Sequence, residues 1–150
     1  MKSKLFISLA AMLILFTSCK KEPEQVIEKE PDRVTVQHIL IAFKGSIPTE
    51  SVTRTQAEAE SLAKEIFERV QKGEDFDALV KEYTDDQYPG IYKMSNRDIP
   101  PDKDKKEYSR SQMVKAFGDV SFSLSVGGTG IAEYDSEASK YGWHIIKRLE

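Results

Sequence analysis

The chain has 150 residues with 22 basic and 25 acidic side chains, which gives a formal net charge of −3 at pH 7. This length and the 39% of hydrophobic residues predict one ordinary domain with short appendages. The acidic balance excludes the basic face that a nucleic-acid-binding protein needs. One Cys excludes an internal disulfide, a four-cysteine zinc site and a CxxC redox pair, and two His leave little room for a multi-histidine metal centre.

The first 18 residues have the pattern of a secretory signal. Lys2 and Lys4 form a basic start, and residues 5–16 form an apolar run that is broken only by Ser8. Such a run covers about 18 Å as a helix, whereas a bilayer core is about 30 Å thick. The run is therefore too short for a spanning helix, and we expect residues 1–18 to be a signal peptide.

The end of this segment, LFTSC at residues 15–19, resembles a bacterial lipobox, in which the signal is removed before the Cys and its thiol carries diacylglycerol. Phe16 stands where that motif usually has Leu, Val or Ile. We expect lipidation at Cys19, and the alternative is an ordinary secretory signal with an incidental Cys. Lys20 follows in place of the Asp associated with inner-membrane retention, which favours an outer-membrane anchor facing the periplasm.

Residues 19–33 are charged, contain Pro23 and Pro31, and show no apolar period. This composition is typical of a solvated, flexible tether. The predicted organisation is therefore a signal peptide, a lipidated tether and one folded domain over residues 34–150.

The first half of the domain is predicted to form a strand and two helices. Residues 34–41 are apolar and β-branched with a period of two, which places His38 on one face with Val34, Val36 and Leu40. Residues 43–53 form a loop. A capping box at Thr55 and Glu58 then starts a helix with the stripe Ala59, Leu62, Ala63, Ile66 and Val70. Gly73 ends it, and Asp75 caps a short helix with the apolar face Phe76, Leu79, Val80 and Tyr83.

The second half alternates turns with short apolar segments. Residues 84–90 are a turn, and the polar residues 96–110 are an exposed excursion. Residues 113–117 fit one helical turn, after which Phe122, Leu124 and Val126 alternate. Residues 127–130 (GGTG) have no Lys and no following helix, so they indicate a turn and not a phosphate loop. Short strands are predicted over residues 131–134 and 141–149, which makes the fold α+β with an antiparallel sheet.

The ionisable groups that these elements position are few. His38 lies in the first strand and His144 in the last, and Asp85 and Asp86 lie on a turn. First and last strands of a small sheet are often neighbours, so the imidazoles can meet. Taken alone, each His fits a hydrogen-bonded core residue, and two His with one Asp also fit a metal site by ligand type. The residues by themselves leave these alternatives open.

Several motifs occur in a fixed order along residues 34–149. They are VQHIL at 36–40, KGEDF at 72–76 with Leu79, TDD at 84–86, SRSQM at 109–113 with Phe117, FSL at 122–124 and YGWHIIK at 141–147. In this order they resemble the opening strand, the helix junction, the active-site turn, the proline-pocket segment and the closing signatures of the parvulin-type (PpiC-like) peptidyl-prolyl cis-trans isomerases.

The resemblance implies a parvulin-like four-stranded antiparallel sheet in the order strand, three helices, strand, helix, two strands, with the helices packed around it. It implies a hydrogen-bonded pair of His38 and His144 that is linked to Asp86 and Ser139, and these four are the expected catalytic residues. The expected substrate-binding residues are Met113, Phe117, Phe122 and Tyr92, the last in place of a pocket Leu. Twisting an amide breaks no covalent bond, so no cofactor and no metal are expected.

The chain also departs from the family pattern. The usual G-G-D-L-G run after the active-site turn is replaced by residues 89–93 (PGIYK), an insertion lies near residues 95–108, and Gly118 replaces an acidic residue. The resemblance implies an isomerase that assists the folding of unfolded or proline-containing envelope or secreted polypeptides from a lipid anchor. The alternative is a parvulin-fold chaperone or binding module with little or no turnover.

Overall fold

The computed structural model describes residues 29–150, so the predicted signal peptide and Cys19 lie outside the described residues. The elements in chain order are β1 (Arg33–Ile41), α1 (Gln56–Gln71), α2 (Phe76–Tyr83), β2 (Ile91–Ser95), β3 (Tyr108–Ser109), a 3-10 turn (Arg110–Gln112), α3 (Lys115–Ser123), β4 (Thr129–Ala132) and β5 (Trp143–Arg148). Within residues 29–150, none of the helices is both long and apolar enough to cross a membrane.

The sheet has five strands in the order β3-β2-β1-β5-β4. The central strand β1 pairs antiparallel with β2 on one side and with β5 on the other, while β3 pairs parallel with β2. The α+β class is confirmed. The prediction of four strands, all antiparallel, is wrong, because the short β3 adds a fifth strand that is parallel to β2. This strand lies in the segment that was predicted to be an exposed excursion.

The prediction of three helices between the first two strands is also wrong, because α1 and α2 are the only helices there. Residues 84–90 connect α2 directly to β2. Gly90 has a φ of +65°, in the left-handed region that glycine adopts readily, and so it serves as a turn residue before β2.

The helix starts follow the predicted capping residues. The Thr55 hydroxyl accepts from the Glu58 N–H, and the Glu58 carboxylate accepts from the Thr55 N–H at 2.7 Å. The Asp75 carboxylate accepts from the Ala78 N–H at 2.8 Å and starts α2. Gly73 has a φ of +86° after the end of α1. These caps fix the direction in which both helices cross the sheet.

The helical turn predicted over residues 113–117 is longer in the structure, where α3 covers Lys115–Ser123. Residues 122–126 alternate in sequence, yet Phe122 is buried within this helix. The Ser121 hydroxyl donates to the Phe117 carbonyl one helical turn earlier at 2.7 Å. Phe117 and Phe122 both pack into the core beneath β1 and β2, and this burial outweighs the local alternation.

The sheet separates two apolar layers. One face packs against α1 and α2 and contains Ile39, Ile41, Trp143 and Ile145. The opposite face packs against α3 and contains Val34, Val36 and Ile146. Because side chains alternate along a strand, His38 of β1 and His144 of β5 both lie on the α3 face. The two imidazoles therefore start from adjacent strands and the same side of the sheet.

Gly142, immediately before β5, offers a test of this strand pairing. Its φ is +135°, and a Cβ there would overlap the Ile41 carbonyl of β1. Gly142→Ala should therefore lower the free energy of unfolding by more than about 3 kcal/mol in urea denaturation, through combined strain and overlap.

Gly45 provides the matched control, since its φ is +86° but nothing lies within 4 Å of the position that a Cβ would take. Gly45→Ala should cost only the backbone strain of about 1 kcal/mol. Equal losses of stability in the two variants would contradict the close approach of β5 to β1.

Candidate active site

Two buried histidines lie side by side on the α3 face of the sheet. The register places Leu40 opposite His144 and His38 opposite Ile146, so the two rings are diagonal neighbours on adjacent strands. His38 Nδ1 lies 3.3 Å from His144 Nδ1, and the rings stack with centroids 5.4 Å apart and an interplanar angle of 13°. The predicted meeting of the two imidazoles is found in the structure.

Asp86 reaches the pair from the turn after α2. The Asp85 N–H donates to the Leu40 carbonyl at 2.8 Å, and the Thr84 hydroxyl accepts from the Leu40 N–H at 3.2 Å. These bonds fasten the turn to β1 beside His38. Asp86 Oδ2 then lies 3.0 Å from His38 Nε2 and accepts a hydrogen bond from the Tyr92 hydroxyl at 2.7 Å.

The charge of this network is set by its hydrogen bonds. The bond from His38, assisted by the one from Tyr92, holds the pKa of Asp86 well below its usual range against the opposing effect of burial. Burial and the neighbouring carboxylate raise the pKa of Tyr92. Asp86 is thus an ionised acceptor and Tyr92 a neutral donor throughout the physiological pH range.

The ionised carboxylate fixes one proton position. Asp86 can only accept, so His38 donates to it through Nε2–H. The second contact of the pair joins the two Nδ1 atoms, while His144 Nε2 is buried with no hydrogen-bond partner among the described residues. Burial, reinforced by His38, lowers the pKa of His144 far below its ordinary value, so this ring stays neutral.

An open cavity of about 460 Å³ lies over the network. Its apolar wall comes from the start of α3 and from the ends of neighbouring loops, with Met113, Val114, Phe117, Leu40, Ile47, Pro48 and Tyr141. Its polar side comprises His38, His144, Asp85, Asp86, Tyr92 and Gln112. The Phe117 ring lies 5.0 Å from that of His38 and 5.4 Å from that of His144, which joins the wall to the histidine pair.

The predicted pocket residues divide into two groups. Met113, Phe117 and Tyr92 line the cavity. Phe122 lies behind Phe117 in the core, where the Arg110 guanidinium covers its ring at 4.7 Å, so it supports the wall without lining it.

Ser139 does not make its predicted contact with the histidine pair. Its buried hydroxyl donates to the Gly142 carbonyl at 2.9 Å, and its N–H donates to the Asp135 carbonyl at 3.0 Å. Because both bonds close the connection that leads into β5, Ser139 supports the turn before His144 and does not extend the polar network.

Sequence reasoning missed the part of the cavity formed by the loop after β1. Ile47 and Pro48 from this loop line the cavity. Asp85 holds the loop by accepting from the Ala42 N–H at 2.8 Å and from the Arg54 guanidinium. The Ile-Pro pair in the middle of this loop was the available signal.

The metal alternative is not supported by the geometry. Within residues 29–150, no group of three or more His, Cys, Asp or Glu side chains converges on a position for a metal ion. His38 turns Nε2 to Asp86 and Nδ1 to His144, so its two nitrogens serve protein partners and do not share a common point with the carboxylate.

An α+β sheet with a histidine pair beneath an apolar cavity defines a domain of parvulin type. Residues 24–150 match the family model of the PPIC-type PPIASE domain. The chain therefore belongs to the PPIC-type peptidyl-prolyl isomerase domain family.

Relatives of known sequence agree with this assignment. The chain is 31% identical over 118 residues to foldase protein PrsA of Geobacillus sp. (strain WCH70), covering 79% of this chain and 38% of that protein. It is 30% identical over 118 residues to chaperone SurA of Pseudomonas aeruginosa, covering 79% of this chain and 24% of that protein. The chain thus spans less than half the length of these curated relatives.

Solved structures show the same fold. Peptidyl-prolyl isomerase ESS1 from Candida albicans matches with a TM-score of 0.57 and 23% identity, over 79% of this chain and 63% of that one. The solution structure of TbPIN1 matches with a TM-score of 0.57 and 23% identity, over 79% of this chain and 98% of that one.

The neutral, buried state of His144 predicts a pH-dependent stability. An unfolded histidine binds a proton below its ordinary pKa of 6.5, while the folded protein resists doing so. This contribution to stability is therefore full above pH 6.5 and falls by about 1.4 kcal/mol per unit as the pH drops toward the folded pKa. When the pH is lowered from 7.5 to 5, the free energy of unfolding of His144→Phe should fall by about 2 kcal/mol less than that of the wild type, as measured by urea denaturation.

Ile146→Val, a non-titrating change in the same buried strand, should keep the wild-type dependence on pH. A His144→Phe variant whose stability declined with pH as steeply as that of Ile146→Val would show that His144 accepts a proton in the folded state.

Proposed function

We propose that this chain is a peptidyl-prolyl cis-trans isomerase that acts on unfolded or folding polypeptides of the cell envelope. The observation that carries the proposal is the fixed polar row Tyr92–Asp86–His38–His144 directly beneath an open apolar cavity. The row places two buried imidazoles among the apolar side chains that pack on the α3 face of the sheet.

Prolyl isomerisation makes and breaks no covalent bond. Rotation about an X-Pro amide is opposed by a barrier of about 18–20 kcal/mol that comes from amide resonance. The planar amide carries more charge separation than the twisted one, and water stabilises that charge separation. Seating the proline ring against Met113, Val114 and Phe117 removes water from the amide and so favours the twisted form.

The polar row supplies a fixed electrostatic environment. Asp86 remains ionised and His144 remains neutral while the amide rotates, because hydrogen bonds hold the pKa of the carboxyl low and burial lowers that of the imidazole. In this mechanism the histidines position charge beside the amide and transfer no proton to it. A lowering of the barrier by about 4 kcal/mol gives an acceleration of roughly a thousandfold.

The proposed substrates follow from the cavity and from the relatives. An open cavity with one apolar wall accepts a proline from any extended chain, with no requirement for a folded partner. The relatives PrsA and SurA are named a foldase and a chaperone, which supports assistance of protein folding as the role.

The proposed attachment to a membrane rests on the sequence of the first 19 residues, which resembles a lipoprotein signal ending at Cys19. Glu30 is held on the domain by the Arg110 guanidinium at 2.6 Å. Residues 19–30 reach at most about 40 Å when fully extended. A lipid on Cys19 would therefore hold the cavity close to the membrane surface.

A second candidate is a binding module that retains the cavity without rapid turnover. The observation in its favour is that Tyr92 places a bulky ring and a hydroxyl on the polar side of the cavity, 5.1 Å from the ring of His38. This module would bind proline-containing chains without accelerating their isomerisation.

Met113 offers the sharpest test of the cavity because it is only half-buried and lies at its wall. Met113→Ala should lower kcat/KM for a short X-Pro peptide by about tenfold to a hundredfold, since the proline ring loses one apolar wall. The rate is measured by NMR exchange between the cis and trans peptide.

Leu124→Ala is the matched control, because Leu124 packs against the same core cluster but does not line the cavity. It should retain activity within about twofold after correction for the folded fraction. Equal losses in the two variants would contradict the cavity as the substrate site. Binding of the peptide without any acceleration by the wild type would select the binding module.

The lipid anchor is tested by the intact mass of the full-length protein extracted from membranes. The expected mass is that of residues 19–150 with a diacylglycerol thioether on Cys19 and an acylated amino end. Cys19→Ser should prevent both the modification and the release of the signal. A wild-type protein that is cleaved at another position and carries no lipid would contradict the anchor.

A further inference from the structure

The segment between β2 and α3, predicted to be an insertion, is fixed to the fold at its end. The Glu107 side chain is 6% exposed and accepts from Arg33 Nε of β1 at 3.1 Å. It also accepts from the Asp102 N–H at 2.8 Å, which closes the segment on itself. The chain then enters β3, where Tyr108 pairs with Met94 of β2.

The residues after Tyr108 are held equally firmly. Arg110 is 6% exposed, and its guanidinium donates to Glu30 at 2.6 Å, to Asn96 at 3.0 Å and to Asp119 at 2.7 Å. Tyr108 therefore lies between two anchored residues, and its backbone position is defined on both sides.

The Tyr108 side chain continues the aromatic surface of the cavity. Its pairing partner Met94 shares a face of β2 with Tyr92, and the rings of Tyr108 and Tyr92 lie 5.8 Å apart at an angle of 46°. The Tyr92 ring in turn lies 5.1 Å from that of His38 and 5.7 Å from that of Phe117. A continuous row of rings thus runs from the histidine pair to Tyr108, which is 48% exposed.

We propose that Tyr108 and Tyr92 form a subsite for an aromatic or large apolar side chain that flanks the proline of the substrate, with Tyr108 as the specificity-determining residue. This inference rests on the proposed prolyl-isomerase function and names its preferred substrates. Successive Cα atoms of a chain are about 3.8 Å apart, while the Tyr92 and Tyr108 rings are 5.8 Å apart, so a long side chain next to a bound proline is within reach of Tyr108.

The chemistry of the subsite favours an aromatic side chain. A ring that packs edge-to-face or offset on Tyr108 gains the quadrupole interaction and covers an apolar surface that is half-exposed in the free protein. Lys93 alternates with Tyr92 along β2 and so lies on the opposite face of the strand. The nearest strand neighbour therefore adds no charge to this surface.

The test uses the full chain and short peptides of the form Ala-X-Pro-Z. In one pair of peptides, position X is Phe or Ala and position Z is Ala. In the second pair, position Z is Phe or Ala and position X is Ala. NMR exchange gives kcat/KM, and chemical-shift titration gives Kd for each peptide. For a peptide with Phe next to the proline, Tyr108→Ala should lower kcat/KM and raise Kd, each by about threefold to tenfold. The same variant should leave the Ala peptide unchanged, and Tyr108→Phe should retain wild-type values for all peptides.

Ile91→Ala is the matched control, because Ile91 is 46% exposed and lies on the opposite face of β2. It should leave every peptide within about twofold of the wild type. Equal losses for the Phe and Ala peptides in Tyr108→Ala, or no loss for any of them, would overturn the subsite.

The two proposals fail separately. A wild-type protein that accelerates none of the peptides contradicts the proposed isomerase function. The Kd comparison still decides the subsite in that case, since a selective loss of Phe-peptide binding in Tyr108→Ala supports it and an unselective result overturns it.

Discussion

The antiparallel pairing of β1 with β5 is the constraint on which the rest of the site depends. This pairing joins two strands that lie far apart in the chain and places His38 and His144 on the same face of the sheet. Their contact then fixes where Asp86 and Tyr92 must bind, and α3 closes over the pair with Phe117. A slip of one residue in this pairing would place the two rings on opposite faces of the sheet.

Three groups of the network that results keep their charges near neutral pH. The hydrogen bond from His38 holds the pKa of Asp86 low, while burial raises the pKa of Tyr92 and lowers that of His144. The carboxylate is therefore ionised, and the phenol and the His144 imidazole are neutral. Rotation about an amide breaks no covalent bond, so fixed charge of this kind beside an apolar wall is compatible with the proposed reaction.

Local patterns in the sequence were sufficient for the caps and the first strand, whereas the histidine pair followed from the family resemblance. Thr55, Asp75 and Gly73 act through short-range backbone contacts, and the family motifs supplied the pairing of distant strands. The extent of α3 was not predictable from alternation at Phe122, because burial against the sheet decides that helix. The contact of Ser139 with Gly142 and the short strand at Tyr108 depend on tertiary neighbours that no local pattern encodes.

The distance in sequence between the two histidines has a consequence for biosynthesis. They are 106 positions apart, and the backbone of Thr35 beside the first strand's start is bonded to Leu149 and Glu150. A sheet whose centre is closed by its last strand has a high contact order, which slows folding relative to helical domains. Since synthesis delivers the amino end first, the histidine pair and the cavity above it stay unformed until the chain is available through β5. A copy that ends before β5 would hold the first imidazole without its partner, so every function of the cavity waits for the last strand.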